Sequence, residues 1–467
     1  MAETLWAGLY CPGLPLKAVW QGVQPETPVA VHDGSLRIVQ ADAPARRLGV
    51  RRGQRLGSAL ALVPELDSRP RDLRAEQRLL ENMALTAYRF SHQVALAPPA
   101  TVLAELGGSR RLHGGLKPLI AGLDDDFQAQ GLGIRIGLAP APAAACLLAR
   151  HAIRVASLKM LRHSLAGLPV DALMLEPGVT RQLAGCGLKT IGALMKVDAG
   201  ERARRFGPGL NRHLDQIHGH QPTPLAQWQP PERFARRLEM PVASDRAEAL
   251  LFACQRLLKP LQTWLEVRDR ALVAVRIGLC LEQGGKLDCR IGLARPARDR
   301  QRLKELIRLK FDAINLPGPV SALDLRAVTT DQHRPTQQDL LDGTRHGDQW
   351  PALIDRLGAR LKPEHIVGLA PGADHRPERA WCWVRPGTTR PCSDQRPRPN
   401  WLLPAPQPCR RAGLDLEEGP ERIECGWWDG NECRRDYWVA RDRHGRRLWV
   451  FREYQPRSGW FIHGYFG

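Results

Sequence analysis

The chain has 467 residues, too many for one core, so three or four domains are expected. Its 68 Lys and Arg against 49 Asp and Glu leave a formal net charge of +19, which favours a polyanionic partner, nucleic acid before membrane. No apolar run approaches the roughly 20 residues that span a bilayer, the opening MAETLWAGLYCPG lacks a signal peptide's basic start, and the 11 Cys form no C-x-x-C pair, so a membrane span and a disulfide scaffold are excluded and a cytoplasmic location is expected.

In chain order, Leu5 to Cys11 reads as a buried strand closed by Pro12-Gly13. Pro28 to Val31 and Leu36 to Val39 form a hairpin around Asp33-Gly34, and a small basic helix-and-turn region follows around Ala45-Arg46 and Gly49-Val50. Asp72 to Phe90 is a long helix with Leu73, Leu79, Leu80, Met83, Leu85 and Tyr88 available for its inner side. Thr101 to Leu106 is a strand, Lys117 to Gln130 a helix, Ile134 to Leu138 a strand and Pro142 to His151 an alanine-rich helix. Strands alternating with helices in this way predict an α/β or α+β layer.

From Val179 to Leu214, apolar residues recur at helical spacing on both sides of Gly187-Leu188-Lys189-Thr190-Ile191-Gly192. Two short helices joined by a glycine-bounded turn are expected, and the unpaired N–H groups opening the second helix, with Lys189 beside them, suit a DNA phosphate. An ordinary helical hairpin in a core is the competing reading. From Phe234 to Val328 the order is strand, helix, strand, strand, helix, strand: Ser244 is placed to cap the first helix, running to about Arg268, and Asp299 the second, through Phe311. Nine Lys or Arg against three acids between Lys286 and Lys310 fit either a face that tracks a phosphate backbone or a solvated charged helix.

Past Thr330 the composition shifts. TQQDLL at Thr336 to Leu341 has polar flanks, and Arg376 to Pro408, rich in Pro, Arg and Trp, reads as a partly ordered linker. Eight of the 13 Trp fall after Ala380, enough for the tail to build its own core. Tyr437 to Ala440, a turn at His444-Gly445 and Leu448 to Phe451 make a hairpin whose aromatics pack in a sheet or stack on bases. Cys382, Cys392, Cys409, Cys425 and Cys433 match no zinc spacing, so no metal is expected there.

These strings carry a family resemblance. PVAV and ADAPARRLGVRRGQRLGSALALVPEL resemble the fingers of Y-family translesion DNA polymerases, GLKTIGAL with RRFGPGL resembles their thumb, and the β-α-β-β-α-β stretch their little finger. The opening LWAGLYCPGLPLKAV and the tail segments GPERIECGWWDG, RRDYWVARD, GRRLWVFRE and GWFIHGYFG are similar to the ImuB-like accessory branch of bacterial mutagenesis cassettes. The resemblance implies an α+β multidomain protein: a palm and fingers over 1–165, a helix-hairpin-helix thumb over 166–232, a little finger over 233–330, a clamp-binding motif and linker over 331–421, and a small aromatic β module over 422–467.

Phosphoryl transfer in that family needs two metal ions held by carboxylates. Aligned on the first strand, the leading acid positions fall on Gly8 and Tyr10; aligned on the following helix, they fall on Cys11 and Gly13. The middle pair falls on Ala100 and Thr101, with Glu105 the nearest acid. The fingers tyrosine falls on Ala43, Arg46 is kept, and the loop Leu138-Ala139-Pro140-Ala141-Pro142 lacks the family lysine. The resemblance therefore implies a polymerase-shaped protein without catalytic residues and without a cofactor; Mg2+ enters only if the chain is an active low-fidelity polymerase after all. It implies DNA contacts at Gly187, Lys189, Thr190, Gly192, Arg295, Arg298 and Arg302, and a sliding-clamp motif at Gln337, Asp339, Leu340 and Leu341, with Gln338 between them. The implied partners are DNA, the clamp, an error-prone polymerase alpha-subunit paralogue and a RecA-like accessory protein.

Overall fold

The computed structural model of the chain describes residues 4–20, 25–333, 346–361, 365–391, 396–455 and 458–467. Its elements are mixed α and β and fall into two units, Met1–Gln337 and Gln338–Gly467. The first unit begins with β1 (Trp6–Tyr10), α1 (Leu14–Trp20), β2 (Val29–His32), β3 (Ile38–Ala41), α2 (Ala43–Arg47), α3 (Leu56–Leu62) and β4 (Asp67–Pro70). It continues with α4 (Leu73–Tyr88), β5 (Val94–Ala97), β6 (Thr101–Glu105), α5 (Leu116–Gln128), β7 (Arg135–Ala139) and α6 (Pro142–Ala149).

β1 is an inner strand of an antiparallel sheet ordered β5-β6-β1-β7. Both of its faces are covered, which is why it reads as an unbroken apolar run. Leu5, Ala7, Leu9 and Cys11 pack with Leu80 and Met83 of α4 and Leu119, Leu123 and Phe127 of α5. On the other face α6 lies across β1 and β7. Asp72 caps α4 by accepting the Ala75 N–H at 2.9 Å. Leu73, expected on the inner side of that helix, is instead 64% exposed, because α4 turns its Leu80–Met83–Ala87 stripe to the sheet. β2, β3 and β4 form a separate small sheet in the order β3-β2-β4.

Five short helices follow: α7 (Leu158–Ala166), α8 (Pro177–Gly185), α9 (Ile191–Met195), α10 (Ala199–Phe206) and α11 (Pro208–His218). Leu161, Leu165, Leu183, Ile191, Leu194, Leu210 and Leu214 share their core with α6. Buried Arg202 holds the end of α9, donating to the carbonyls of Leu194 and Val197 at 3.2 and 2.9 Å, and to Asn211 at 2.9 Å.

The third part is β8 (Ala235–Ser244), α12 (Ala247–Val267), β9 (Arg270–Leu281), β10 (Lys286–Ala297), α13 (Arg300–Asp312) and β11 (Val320–Gln332). Its sheet is antiparallel, ordered β10-β9-β11-β8, with α12 and α13 packed together on one face. Asp299 caps α13 as expected, accepting the Arg302 N–H at 2.6 Å. Ser244 does not cap α12; β8 runs through it, its hydroxyl accepts the Arg246 N–H, and Arg246 is the residue that opens the helix. α12 meets α4, and ion pairs tie its end to α4 and α5: Arg89, at the end of α4, contacts Asp126 of α5 and reaches Glu266 of α12 at 3.2 Å, while Lys259 of α12 stands 3.6 Å from Asp126.

The second unit contains α14 (His346–Arg360), the hairpin β12 (Gly368–Pro371) with β13 (Trp381–Val384), and an antiparallel sheet ordered β14-β18-β17-β16-β15. Its strands are β14 (Trp401–Cys409), β15 (Leu414–Cys425), β16 (Cys433–Asp442), β17 (Arg447–Gln455) and β18 (Gly459–Tyr465). Within Arg376 to Pro408, expected to be a linker, the described residues include β13 and β14, and the aromatic sheet starts at Trp401 rather than at residue 422. Proline in β14 was compatible with a strand because β14 is at the edge of its sheet, where a missing N–H faces outward. Arg376 is anchored: it donates to Asp374 and Asp429, both at 2.7 Å, and to the Asn431 carbonyl at 3.2 Å, tying the β12–β13 connection to the β15–β16 loop.

The tail aromatics build the sheet core, with Tyr437 stacked on Trp449 at 4.2 Å and tilted against Phe451 at 4.9 Å. His463 is buried among them, its Nδ1 2.9 Å from the Tyr437 hydroxyl. Burial holds the His463 imidazole down to about 4 from an ordinary 6.5, against the opposing pull of Glu378. The unfolded chain therefore takes a proton near pH 6.5 that the fold refuses until about pH 4, so stability present above the first value is lost as the pH falls toward the second. The loss is on the order of 2–3 kcal/mol. Tryptophan fluorescence during thermal unfolding at pH 7 and pH 4.5 should show the transition of this unit fall at the lower pH, and His463→Phe should flatten that dependence.

Candidate nucleic-acid interface

The sheet register decides what the first strand can do. Tyr10 pairs with Thr101, and the Cys11 N–H donates to the Ala100 carbonyl at 2.9 Å. Both sets of positions that the family resemblance marks for acids therefore meet at one end of β1 and β6. None of the side chains there is a carboxylate.

Gly8 points toward α6, where a Cβ would lie 2.2 Å from the Ala145 carbonyl oxygen, so an acid at that position has no room while the helix stays in place. Cys11 is buried, and burial pushes its thiol up, away from the thiolate a metal would need. Gly13 sits in a turn with φ +78°. Tyr10 lies beneath Arg150, whose guanidinium carbon is 4.8 Å from the ring centroid. Thr101 is fully buried.

Glu105 stands at the other end of β6, opposite Trp6. Its carboxylate is committed to the backbone: Oε1 accepts the N–H groups of Leu5 at 3.0 Å and Gly107 at 2.8 Å, and Oε2 accepts that of Gly108 at 3.1 Å. It holds the turn after β6 to the start of β1. Among the described residues, no group of three or more His, Cys, Asp or Glu is placed to hold a metal ion. The side chains present at this end do not fit the metal pair that the family resemblance implies.

Ala43 opens α2 and is exposed; Arg46, one turn on, is also exposed and bonds the Asp42 carbonyl at 3.2 Å. The Leu138–Pro142 loop joins the end of β7 to the start of α6.

Around Gly187 the two-helix arrangement is present, with Gly187 at φ +73° between α8 and α9. Thr190 caps α9 by accepting the Ala193 N–H at 3.1 Å, and the Ile191 N–H goes to the Leu168 carbonyl at 2.9 Å. Two donors expected to face a phosphate are thus bonded inside the protein. Gly192 faces α7, where a Cβ would meet the Ala166 carbonyl oxygen at 2.8 Å, so it serves helix packing. Lys189 and Gly187 are exposed at the turn.

The most ordered positive feature is one that a linear reading misses. Arg290 on β10 pairs with Arg276 on β9, which pairs with Arg326 on β11. The three arginines form a row across the open face of the sheet, opposite α12 and α13, and all are exposed. Like charges set directly across strands repel. Among the described residues, Arg276 has only a distant carboxylate, Asp288 at 3.9 Å, and neither Arg290 nor Arg326 is in an ion pair. An anion laid along the row would relieve that repulsion. In sequence the three are 50 residues apart, and only strand pairing brings them together.

The arginines singled out from sequence lie elsewhere. Arg298 stands 3.6 Å from Asp269, Arg302 is half-buried in the first turn of α13, and Arg295 is exposed on β10 beyond an irregularity in its pairing. The motif Gln337, Asp339, Leu340 and Leu341 lies outside the described residues.

Comparison with known proteins adds the following. The impB/mucB/samB family model matches residues 21–150. Protein ImuB of Caulobacter vibrioides, from two strains, is 28% identical over 466 residues, covering 90% of this chain and 100% of that protein. Among solved structures, a Dbh ternary complex overlaps with a TM-score of 0.41 at 12% identity, and DinB from Sulfolobus solfataricus with 0.40 at 12%, each covering 69% of this chain and 98% of that chain.

If the arginine row carries phosphate, Arg276→Ala should weaken binding to duplex DNA similarly for unrelated sequences and flatten the plot of log affinity against log salt by about 1. Fluorescence anisotropy across a salt series would read both.

Proposed function

We propose that this chain, an ImuB-like homologue with a Y-family domain of the impB/mucB/samB type, is a noncatalytic DNA-binding scaffold in error-prone translesion synthesis. In this reading the β1–β6 sheet with α4, α5 and α6 is the palm, α7 to α11 the helix-hairpin-helix thumb, and β8 to β11 with α12 and α13 the little finger. The thumb turn at Gly187 and Lys189 and the arginine row of the little finger grip the DNA backbone. The segment from Gln337 to Leu341 docks the sliding clamp, its Gln in a polar notch and its two leucines in an apolar cleft. The error-prone polymerase partner supplies the catalysis.

One observation carries the noncatalytic part of this reading: the end of β1 and β6 presents Gly8, Tyr10, Ala100 and Thr101, and α6 fills the space where an acid at position 8 would project. The competing reading, an active low-fidelity polymerase, would have to recruit Glu105, whose carboxylate already accepts three backbone N–H groups.

Primer extension by the purified chain with Mg2+ or Mn2+ separates the two. No extension is expected, and Gly8→Asp should restore none because the new side chain collides with α6. Robust extension that disappears in Glu105→Gln would establish the competing reading. For the clamp, replacing Leu340 and Leu341 together by Ala should abolish clamp pull-down and leave DNA affinity unchanged; undiminished clamp binding would remove that part of the proposal.

A further inference from the structure

The vacated end of the sheet is positively charged. No Asp or Glu occurs in residues 4–25, 82–104 or 127–170, the segments that supply β1, β5, β7, α6 and most of β6. Cations do occur there. Arg135 on β7 is the cross-strand neighbour of Tyr10, and its guanidinium donates to the Arg150 carbonyl at 2.8 Å. Arg150 closes α6 with its own guanidinium 4.8 Å from the Tyr10 ring centroid. Lys17 stands at the same end, its Nζ 2.9 Å from the carbonyl of Gly133, two residues before β7. Among the described residues none of the three is in an ion pair.

We propose that this end of the sheet seats a phosphate group directly on Arg135 and Arg150, with no divalent ion between them. In a site built from carboxylates, phosphate and protein are both negative and the metal mediates. Here the sign of the protein is reversed, and a guanidinium satisfies phosphate oxygens with its own N–H groups. The cation–π contact with Tyr10 restrains the Arg150 guanidinium. The bond from Arg135 to the Arg150 carbonyl brings the Arg135 guanidinium to the same end of α6. Arg135 is exposed and Arg150 partly so, so both are reachable. The ligand class is a phosphate ester or oligophosphate, either a free nucleoside triphosphate or the phosphates of a DNA strand. The inference rests on the polymerase-shaped reading only for the expectation that such a ligand comes near.

The test uses the intact chain in EDTA. Calorimetric titration with dATP and with inorganic tripolyphosphate forms one arm, and anisotropy with a labelled primer–template forms the other. Arg135→Gln and Arg150→Gln are each expected to weaken binding about tenfold. Arg135→Lys should retain most of it, which separates loss of charge from loss of fold. A loss in the dATP arm identifies a free nucleotide as the ligand; a loss confined to the DNA arm identifies strand phosphate. Unchanged affinity in both arms overturns the proposal, as does binding that appears only when Mg2+ is added. Primer extension by the wild-type chain would defeat the noncatalytic reading without touching this one, because the titrations contain no metal.

Discussion

The contact on which the first sheet depends is α6 laid against β1 and β7. Gly8 and Gly137 are cross-strand partners, and a Cβ on either would come within 2.2 Å of the α6 backbone, at the Ala145 oxygen and the Ala149 nitrogen. Two missing side chains let the helix approach so closely, and Ala144, Ala145, Leu148 and Ala149 are buried by it. Packing at that distance is stabilising through many small contacts, and it leaves no space for a larger residue. The side of the sheet from which an acid at position 8 would project is therefore occupied by helix. At position 8 the chain lacks both a carboxylate and the room for one.

Charge is distributed accordingly. Glu105 is enclosed by backbone N–H groups and secures a turn. Asp126 and Glu266 work in ion pairs where α12 meets α4 and α5. Asp324 accepts from Lys286 at 2.8 Å. Arginines, in contrast, are left in exposed places with few partners, as at the Arg290–Arg276–Arg326 row and at Arg135 and Arg150.

Much of the fold was legible because the relevant signals are local. The apolar run of β1, the cap Asp299, the glycine turn at Gly187 and the hairpin turn at His444-Gly445 each act within a few residues. The candidate site was legible only in part. The absence of acids near Gly8 and Thr101 can be counted along the chain, but the closure of that space by α6 depends on Ala145, distant in sequence. The arginine row depends on pairing across three strands, and nearby sequence density pointed to Arg295, Arg298 and Arg302 instead. Proline and arginine between Arg376 and Pro408 suggested a linker, whereas the edge placement of β14 and the bonds of Arg376 to Asp374 and Asp429 set both ends of that stretch in the fold.

The central claim is that the β1–β6 end cannot gather divalent ions. Electron paramagnetic resonance of Mn2+ titrated into the intact chain, with primer–template and a nonhydrolysable nucleotide present, tests it directly. The account predicts a signal indistinguishable from Mn2+ with DNA and nucleotide alone. A saturable pair of protein-bound Mn2+ ions, lost on substitution of Thr101 or Glu105, would contradict it.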